Sequence, residues 1–228
     1  MSTVIWRGKS PFNGRRILAA VSHGSSNGKT GDVDTLWILD QHQRPTRATE
    51  TGADASVCGG CPHRRHHGKL GDCYVNLFHA PRGVWSNAQG QRVTPPTSTK
   101  LRPKSATIRL GGYGDPAMVP EQITKDLIKR YRNHIGYTHQ WCAPWAQWAR
   151  RYMMASVDSL KDHEKAISLG WRTFRVDYQD HTSAGEIICP SVTHGVQCID
   201  CKLCSGAGKA KSIAIMAHGT WSKKHMEV

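Results

Sequence analysis

Eight cysteines and thirteen histidines stand in a chain of 228 residues, and most of the cysteines are grouped. Cys189, Cys198, Cys201 and Cys204 form the tighter group, with two successive CxxC steps. Such steps turn several thiolates toward one centre, and Cys189 completes a set of four. Four thiolates suit structural zinc and equally suit a [4Fe–4S] cluster, so the spacing predicts one metal or iron–sulfur site. A second group, Cys58, Cys61 and Cys73, encloses Pro62 and the histidines His63, His66 and His67. Three cysteines with His63 would make a second zinc site, whereas three cysteines on a cluster with an open iron would make a catalytic centre. Cys142 stands apart and reads as a packed thiol.

Carboxylates and imidazoles supply the remaining candidate chemistry. Asp115 lies in Arg-Leu-Gly-Gly-Tyr-Gly-Asp-Pro and Asp158 in Ala-Ser-Val-Asp-Ser. Two carboxylates at neighbouring strand ends suit displacement at a glycosidic carbon, one attacking and the other handling protons, with His139 assisting. The bland alternatives are a turn-forming Asp before Pro116 and a helix N-cap at Asp158. His23, Lys29, Arg109, Thr138, Arg175 and His218 are the candidate substrate or nucleic-acid contacts, Arg175 being the best placed for phosphate. Asn27-Gly28-Lys29-Thr30-Gly31 lacks the full GxxxxGK[ST] spacing and is not a P-loop. Trp141, Trp145 and Trp148 read as a helix face packed inward rather than as base-stacking residues.

These groups need elements to position them. Residues 1–104 read as an irregular, Cys/His-rich part, with strands at Ile17–Val21 and Leu36–Leu39 and a loop over Ala88–Pro103. Residues 105–228 read as regular β/α units. Strands are predicted at Ala106–Leu110, His134–Tyr137, Tyr152–Val157, Trp171–Val176, Glu186–Ile188 and Ser212–Ala217. Helices are predicted over Pro120–Arg132, from Pro144 to about Arg151, and over Ser159–Leu169, the last closed by Gly170. Strand, helix, strand at this spacing implies right-handed βαβ units and a parallel sheet. No reversal point is visible, so the expected fold is α/β: a single TIM-like or partial (β/α) barrel with a Cys-rich metal-binding loop. Ligands would then sit at the carboxyl ends of the strands, where Ser22, His23, Asp115, Thr138, His139, Ser156, Asp158, Arg175, Asp177, Cys189 and His218 fall.

The formal net charge is +14, which attracts polyanions, and nucleic acid is the expected partner. No apolar run is long enough to span a bilayer and no basic amphipathic helix stands out, so no membrane partner is expected. The amino terminus lacks the apolar core of a secretory signal, which predicts a cytoplasmic location, and clustered cysteines in a reducing compartment imply metal rather than disulfides.

Taken in order, Asn27–Gly31, Cys58–Tyr74, Gly114-Asp115, Gly136–His139 and Cys189–Cys204 resemble an uncharacterised family of phage-encoded, barrel-like proteins. That resemblance implies a viral origin and a host-cell cytoplasmic setting. Asp115, Asp158 and the Cys189–Cys204 group are also similar in kind to the parts of the tRNA-guanine transglycosylase superfamily, including its DNA-acting members. This likeness implies zinc, an Asp nucleophile and exchange of guanine in DNA for a small deazapurine base. The Cys73-Tyr74 step and a partial barrel resemble the radical S-adenosylmethionine superfamily, whose CxxxCxxC motif is absent here. Three expectations follow: DNA base exchange on zinc, an iron–sulfur radical enzyme acting on nucleic acid, and a non-enzymatic basic module stapled by zinc.

Overall fold

The computed structural model describes residues 2–65, 71, 73–177 and 182–216. Among them the chain forms β1 (Ser2–Lys9), β2 (Arg16–Ser22), β3 (Asp34–Asp40), α1 (Pro45–Thr51), α2 (Ala55–Cys58), α3 (Ala80–Ala88) and β4 (Thr107–Leu110). Then follow α4 (Glu121–Ile128), β5 (Asn133–Thr138), β6 (Met154–Val157), α5 (Leu160–Ser168), β7 (Thr173–Asp177), β8 (Glu186–Ile188), α6 (Pro190–Thr193), α7 (Cys198–Cys201) and β9 (Ser212–Met216). The 3-10 turns Pro116–Met118 and Pro144–Arg151 follow β4 and β5. Residues 1–104 are therefore not irregular. They contribute three strands and three helices to the same sheet as the rest.

The nine strands lie in the order β1-β2-β3-β4-β5-β6-β7-β9-β8. β1, β2 and β3 pair antiparallel, and every pairing from β3 to β8 is parallel. Among the described residues the sheet ends on β1 and β8 and does not close, so the expected α/β class is observed while the TIM-like form of the expected full or partial barrel is not. An extra antiparallel hairpin on one flank and a reversal on the other leave each end strand without a second partner.

That reversal has a structural consequence. From β3 to β7 each crossover steps the same way along the sheet, and right-handed connections place their helices on one face. The last crossover, β8 to β9, steps backward, so the same handedness sends the segment 189–211 to the opposite face. Burial bears this out. Val57, Val84, Leu127, Ala146, Ala149 and Ala166 from the helices pack with Ile108, Leu110, Ala155 and Val157 in one cluster. Alternate strand residues, Met154, Ile213 and Ile215, form a second cluster with Cys189, packed by Tyr137, Phe174, Leu203 and Cys204. Side chains one residue apart on a strand point to opposite faces, which separates Met154 from Ala155. The second cluster has only four buried members. A buried apolar side chain contributes about 1.5–3 kcal/mol, while ordering each loop residue costs about 1–2 kcal/mol. This cluster by itself does not hold the 189–211 segment in place.

Local signals explain most element ends. Ser159 caps α5 by accepting from the Asp162 N–H, and Gly170 follows it at φ 79°. Pro144 opens the second 3-10 segment, as its fixed φ allows. The predicted strand to Ala217 is described as far as Met216, its last residue lying outside the described residues.

Candidate functional site

Asp115 sits where β4 runs out, and its carboxylate is a structural hub. Oδ1 accepts from Thr138 Oγ1 at 2.7 Å and the Ala117 N–H at 2.9 Å, and Oδ2 accepts from the His139 N–H at 2.8 Å. Gln140 Nε2 adds a longer contact at 3.4 Å. The residue is 6% exposed. Burial raises its pKa despite these donors. A carboxylate so enclosed holds the ends of β4 and β5 together, and has no lone pair turned to a substrate.

Gln140 extends the hub to the first cysteine group. Its side chain donates to the Cys58 carbonyl at 3.0 Å and accepts from the Gly60 N–H at 3.2 Å. The Asp115 N–H donates to the Val57 carbonyl at 2.7 Å. Gly59 has φ 57°, and a Cβ there would stand 2.4 Å from Gln140 Oε1, so only glycine permits this approach. Arg64 locks the other side of the turn. Its Nε and Nη2 donate to the two Asp54 oxygens at 3.1 and 2.7 Å, and Nη1 donates to the Gly59 carbonyl at 3.1 Å. The Arg64–Asp54 pair is buried.

This framework brings three side chains together. His139 and Asp158 follow adjacent parallel strands, β5 and β6, and His63 reaches them from the Cys61 turn. His63 Nε2 lies 3.0 Å from Asp158 Oδ1, and the His63 and His139 rings meet edge to face with centroids 5.4 Å apart. Among the described residues this trio is the one group of three metal-competent side chains whose ligand atoms all lie within 4.8 Å of one another. Burial acts to raise the Asp158 pKa, but the His63 hydrogen bond and the His63 and His139 charges outweigh it, so the carboxyl is held below its ordinary range. A cleft of about 240 Å³ opens beside it, lined also by Ser159, Arg175, Asp177 and Ser183.

Cys58, Cys61 and Cys73 stand next to the trio. Cys61 and Cys73 each act electrostatically on Cys58, and Asp115 and Asp158 act on Cys61. The Cys61 sulfur also takes a hydrogen bond from the His63 backbone. Burial, then the neighbouring negative groups, push the Cys58 and Cys61 thiols up, so without a cation both are neutral. Of the expected Cys58, Cys61, Cys73 and His63 set, His63 meets the Cys61 sulfur with its backbone and Asp158 with its ring. His66 and His67 lie outside the described residues.

The second cysteine group covers the opposite face of the sheet rather than its carboxyl rim. Cys204 accepts at its carbonyl from the Gly136 N–H, in the middle of β5, at 2.8 Å. Cys189 donates its N–H to Ala214 at 2.8 Å. Cys189, Cys198 and Cys201 all act electrostatically on Cys204, and burial leads the upward shift of both Cys198 and Cys204. The Asn27–Gly31 loop clasps this group. The Cys198 and Ile199 N–H groups donate to the Lys29 and Thr30 carbonyls, both at 3.1 Å, and Gln197 Nε2 donates to the Gly28 carbonyl at 2.7 Å. The loop that only superficially resembled a phosphate loop is a backbone brace. None of the eight cysteines, all among the described residues, forms a disulfide.

The remaining candidates divide sharply. Arg109 joins the two groups: Nη2 donates to the Tyr74 hydroxyl at 3.3 Å, directly after Cys73, and Cys198 lies close enough to act on its charge. Burial opposes that charge, but Tyr74, Tyr137 and Cys198 outweigh it. Lys29 also faces Cys189 and Cys198, with burial lowering its pKa. Arg175 is drawn to the helix face, where Glu186 takes its Nε and Nη2 at 3.0 and 2.8 Å and Asp177 its Nη1. His23 is held by buried Asp34 at 2.9 Å, which also accepts from Tyr131 and the Lys104 backbone. Thr138 is fully buried on Asp115. His23, Thr138 and Arg175 thus each have internal partners, and Arg175 also lines the cleft. His218 lies outside the described residues. Gln140, Arg64 and Asp54 were not singled out by sequence, and Asp54-x3-Cys58 with Arg64 after Cys61 was the available signal.

No family model, curated protein or solved structure matches this chain.

Proposed function

We propose that this chain is an iron–sulfur enzyme that modifies nucleic acid, its reaction centred on the carboxyl ends of β5 and β6. The observation that carries this reading is the convergence of Cys58, Cys61 and Cys73 with Asp158, His139 and His63 beside an open cleft. Three thiols hold a cluster with one iron left to a substrate or cofactor, which supplies redox chemistry when bound. Asp158 and the two imidazoles lie where they can bind and orient the reacting group and hold its proton. The Cys189, Cys198, Cys201 and Cys204 set is the second metal centre. Four thiolates suit a tetrahedral zinc and equally a [4Fe–4S] cluster. The net charge of +14 supports a polyanionic substrate, DNA or RNA. None of the described helices is long and apolar enough to cross a membrane, and the abundance of free thiols fits a reducing cytoplasm.

DNA base exchange is the second reading, favoured by one observation: Asp158 is ionised and its side chain is 25% exposed. In that case Asp158 is the nucleophile, Asp115 positions the edge, zinc fills the Cys189–Cys204 site, and a deazapurine is the co-substrate. Purification without oxygen, with metal and sulfide analysis, separates the two. The iron–sulfur reading expects a brown protein carrying iron and acid-labile sulfide and bleached by air. A colourless protein carrying zinc alone would reject it in favour of base exchange.

A further inference from the structure

We propose that His63, His139 and Asp158 bind one divalent first-row metal ion, separate from any centre held by the cysteines. The inference deepens the proposed function, since it concerns the same edge of the sheet. Two imidazoles and one carboxylate with their ligand atoms within 4.8 Å form the donor set that faces three sites of an octahedral ion and leaves the others open. The remaining positions face outward: the side chains of His63 and Asp158 are 21% and 25% exposed, and the cleft opens at Asp158.

What distinguishes this trio from a chance histidine–carboxylate contact is how each member is supported. A ligand set binds well when its members are fixed before the ion arrives. His139 is fixed through its backbone N–H on Asp115 Oδ2. His63 is fixed by the turn that Arg64 ties to Asp54 and Gly59. Asp158 is fixed by its place at the end of β6, directly before the Ser159 cap of α5. Asp115 and Gln140 then join the first two supports, since Gln140 bonds Cys58 and Gly60 while Asp115 holds residues 138 and 139. Asp115 is thereby a positioning residue for the ion. A catalytic carboxylate is not required to explain its burial.

Mn(II) is the probe, because it prefers carboxylate and imidazole to the thiolates nearby. The chelator-treated full chain is titrated anaerobically with Mn(II), and free ion is read by electron paramagnetic resonance. One Mn(II) per chain is expected. Asp158→Asn and His63→Gln should each weaken binding by more than about tenfold, and Asp115→Asn by about ten- to a hundredfold at unchanged stoichiometry. Cys198→Ser should leave it unaltered. A circular dichroism melt identifies folded variants, and His139→Gln replaces either ligand variant that fails to fold. Absence of saturable Mn(II) binding, or unchanged affinity in the folded ligand variants, would reduce the trio to a hydrogen-bonded cluster. Acid-labile sulfide reports on the cysteine centres alone, so loss of the proposed function and loss of this site give different results.

Discussion

The two cysteine groups are built on opposite physical plans. Cys58, Cys61 and Cys73 arrive from the helix side of the sheet, and their turn is held by side chains: the Arg64–Asp54 pair and the Gln140 amide. Cys189, Cys198, Cys201 and Cys204 lie on the other face, held by main-chain hydrogen bonds to the Lys29 and Thr30 carbonyls and from the Gly136 N–H. Side-chain supports are adjustable and leave polar groups near the surface, and here the histidines and Asp158 gather. Main-chain supports are stiff, and the group they hold packs onto apolar Met154, Ile213 and Ile215. The difference separates a group that stands beside a cleft from one that packs on the sheet.

The largest test removes the side-chain support. Arg64→Ala leaves buried Asp54 unpaired, which should cost about 3–5 kcal/mol in denaturant unfolding and release iron from the first group before the second. The double variant with Asp54→Ala should recover part of that loss, because no unpaired charge remains. Next is the main-chain clasp. Gly31 has φ 73°, and a Cβ there would stand 2.6 Å from Ile199. Gly31→Ala should cost about 1–3 kcal/mol and loosen metal held by Cys198 and Cys201, with Mn(II) binding at the trio unchanged. If it disturbed both sites equally, the two regions would not be independent.

Asp115→Asn is a comparable but more local change. In either orientation the new amide nitrogen must face a backbone N–H, that of Ala117 or of His139, a donor against a donor, costing about 1–3 kcal/mol. Thermal unfolding should register it, and the Cys189–Cys204 centre should keep its metal.

The smallest effect is in acid. Asp34 is held below its ordinary value of 3.8, where burial is outweighed by His23, Gly24, Lys104 and Tyr131. Glu186 is held below 4.5, where burial is outweighed by Arg175, Ser183 and His163. Groups lowered in this way stabilise the fold fully above those ordinary values, and their contribution is lost as pH falls through the lowered ones. Asp115, raised by burial, has the opposite sign: protonating it relieves a penalty. Asp34 anchors the start of β3, beside the clasping loop, and Glu186 opens the strand leading to Cys189. Asp158, beside the first cysteine group, is lowered as well, so acid titration below the ordinary carboxylate range should destabilise the fold around both groups, as followed by unfolding against pH.

Much of the sheet was legible because its cause is local. Ala106–Leu110, His134–Tyr137 and Glu186–Ile188 read as strands from short apolar runs, and Gly170 and Pro144 marked helix ends through their own backbone geometry. β1 was missed: Ser2–Lys9 alternates poorly and is a strand because β2 lies beside it. Open sheet or barrel was equally illegible. Each βαβ unit is local, but the backward step to β9 depends on which strand edges remain unpaired.

By itself the sequence determined that thiols would gather, since CxxC spacing turns sulfurs together whatever surrounds them, and that strand would alternate with helix after residue 105. Only the tertiary structure decided what those groups face. His63 and Asp158 are separated by 95 positions, and neither carries a local mark of the other. The same holds for Asp115, whose place before Pro116 fits a turn, a nucleophile or a hub. Donors from residues 138 and 139 made it a hub, because a buried carboxylate takes its role from the groups that surround it.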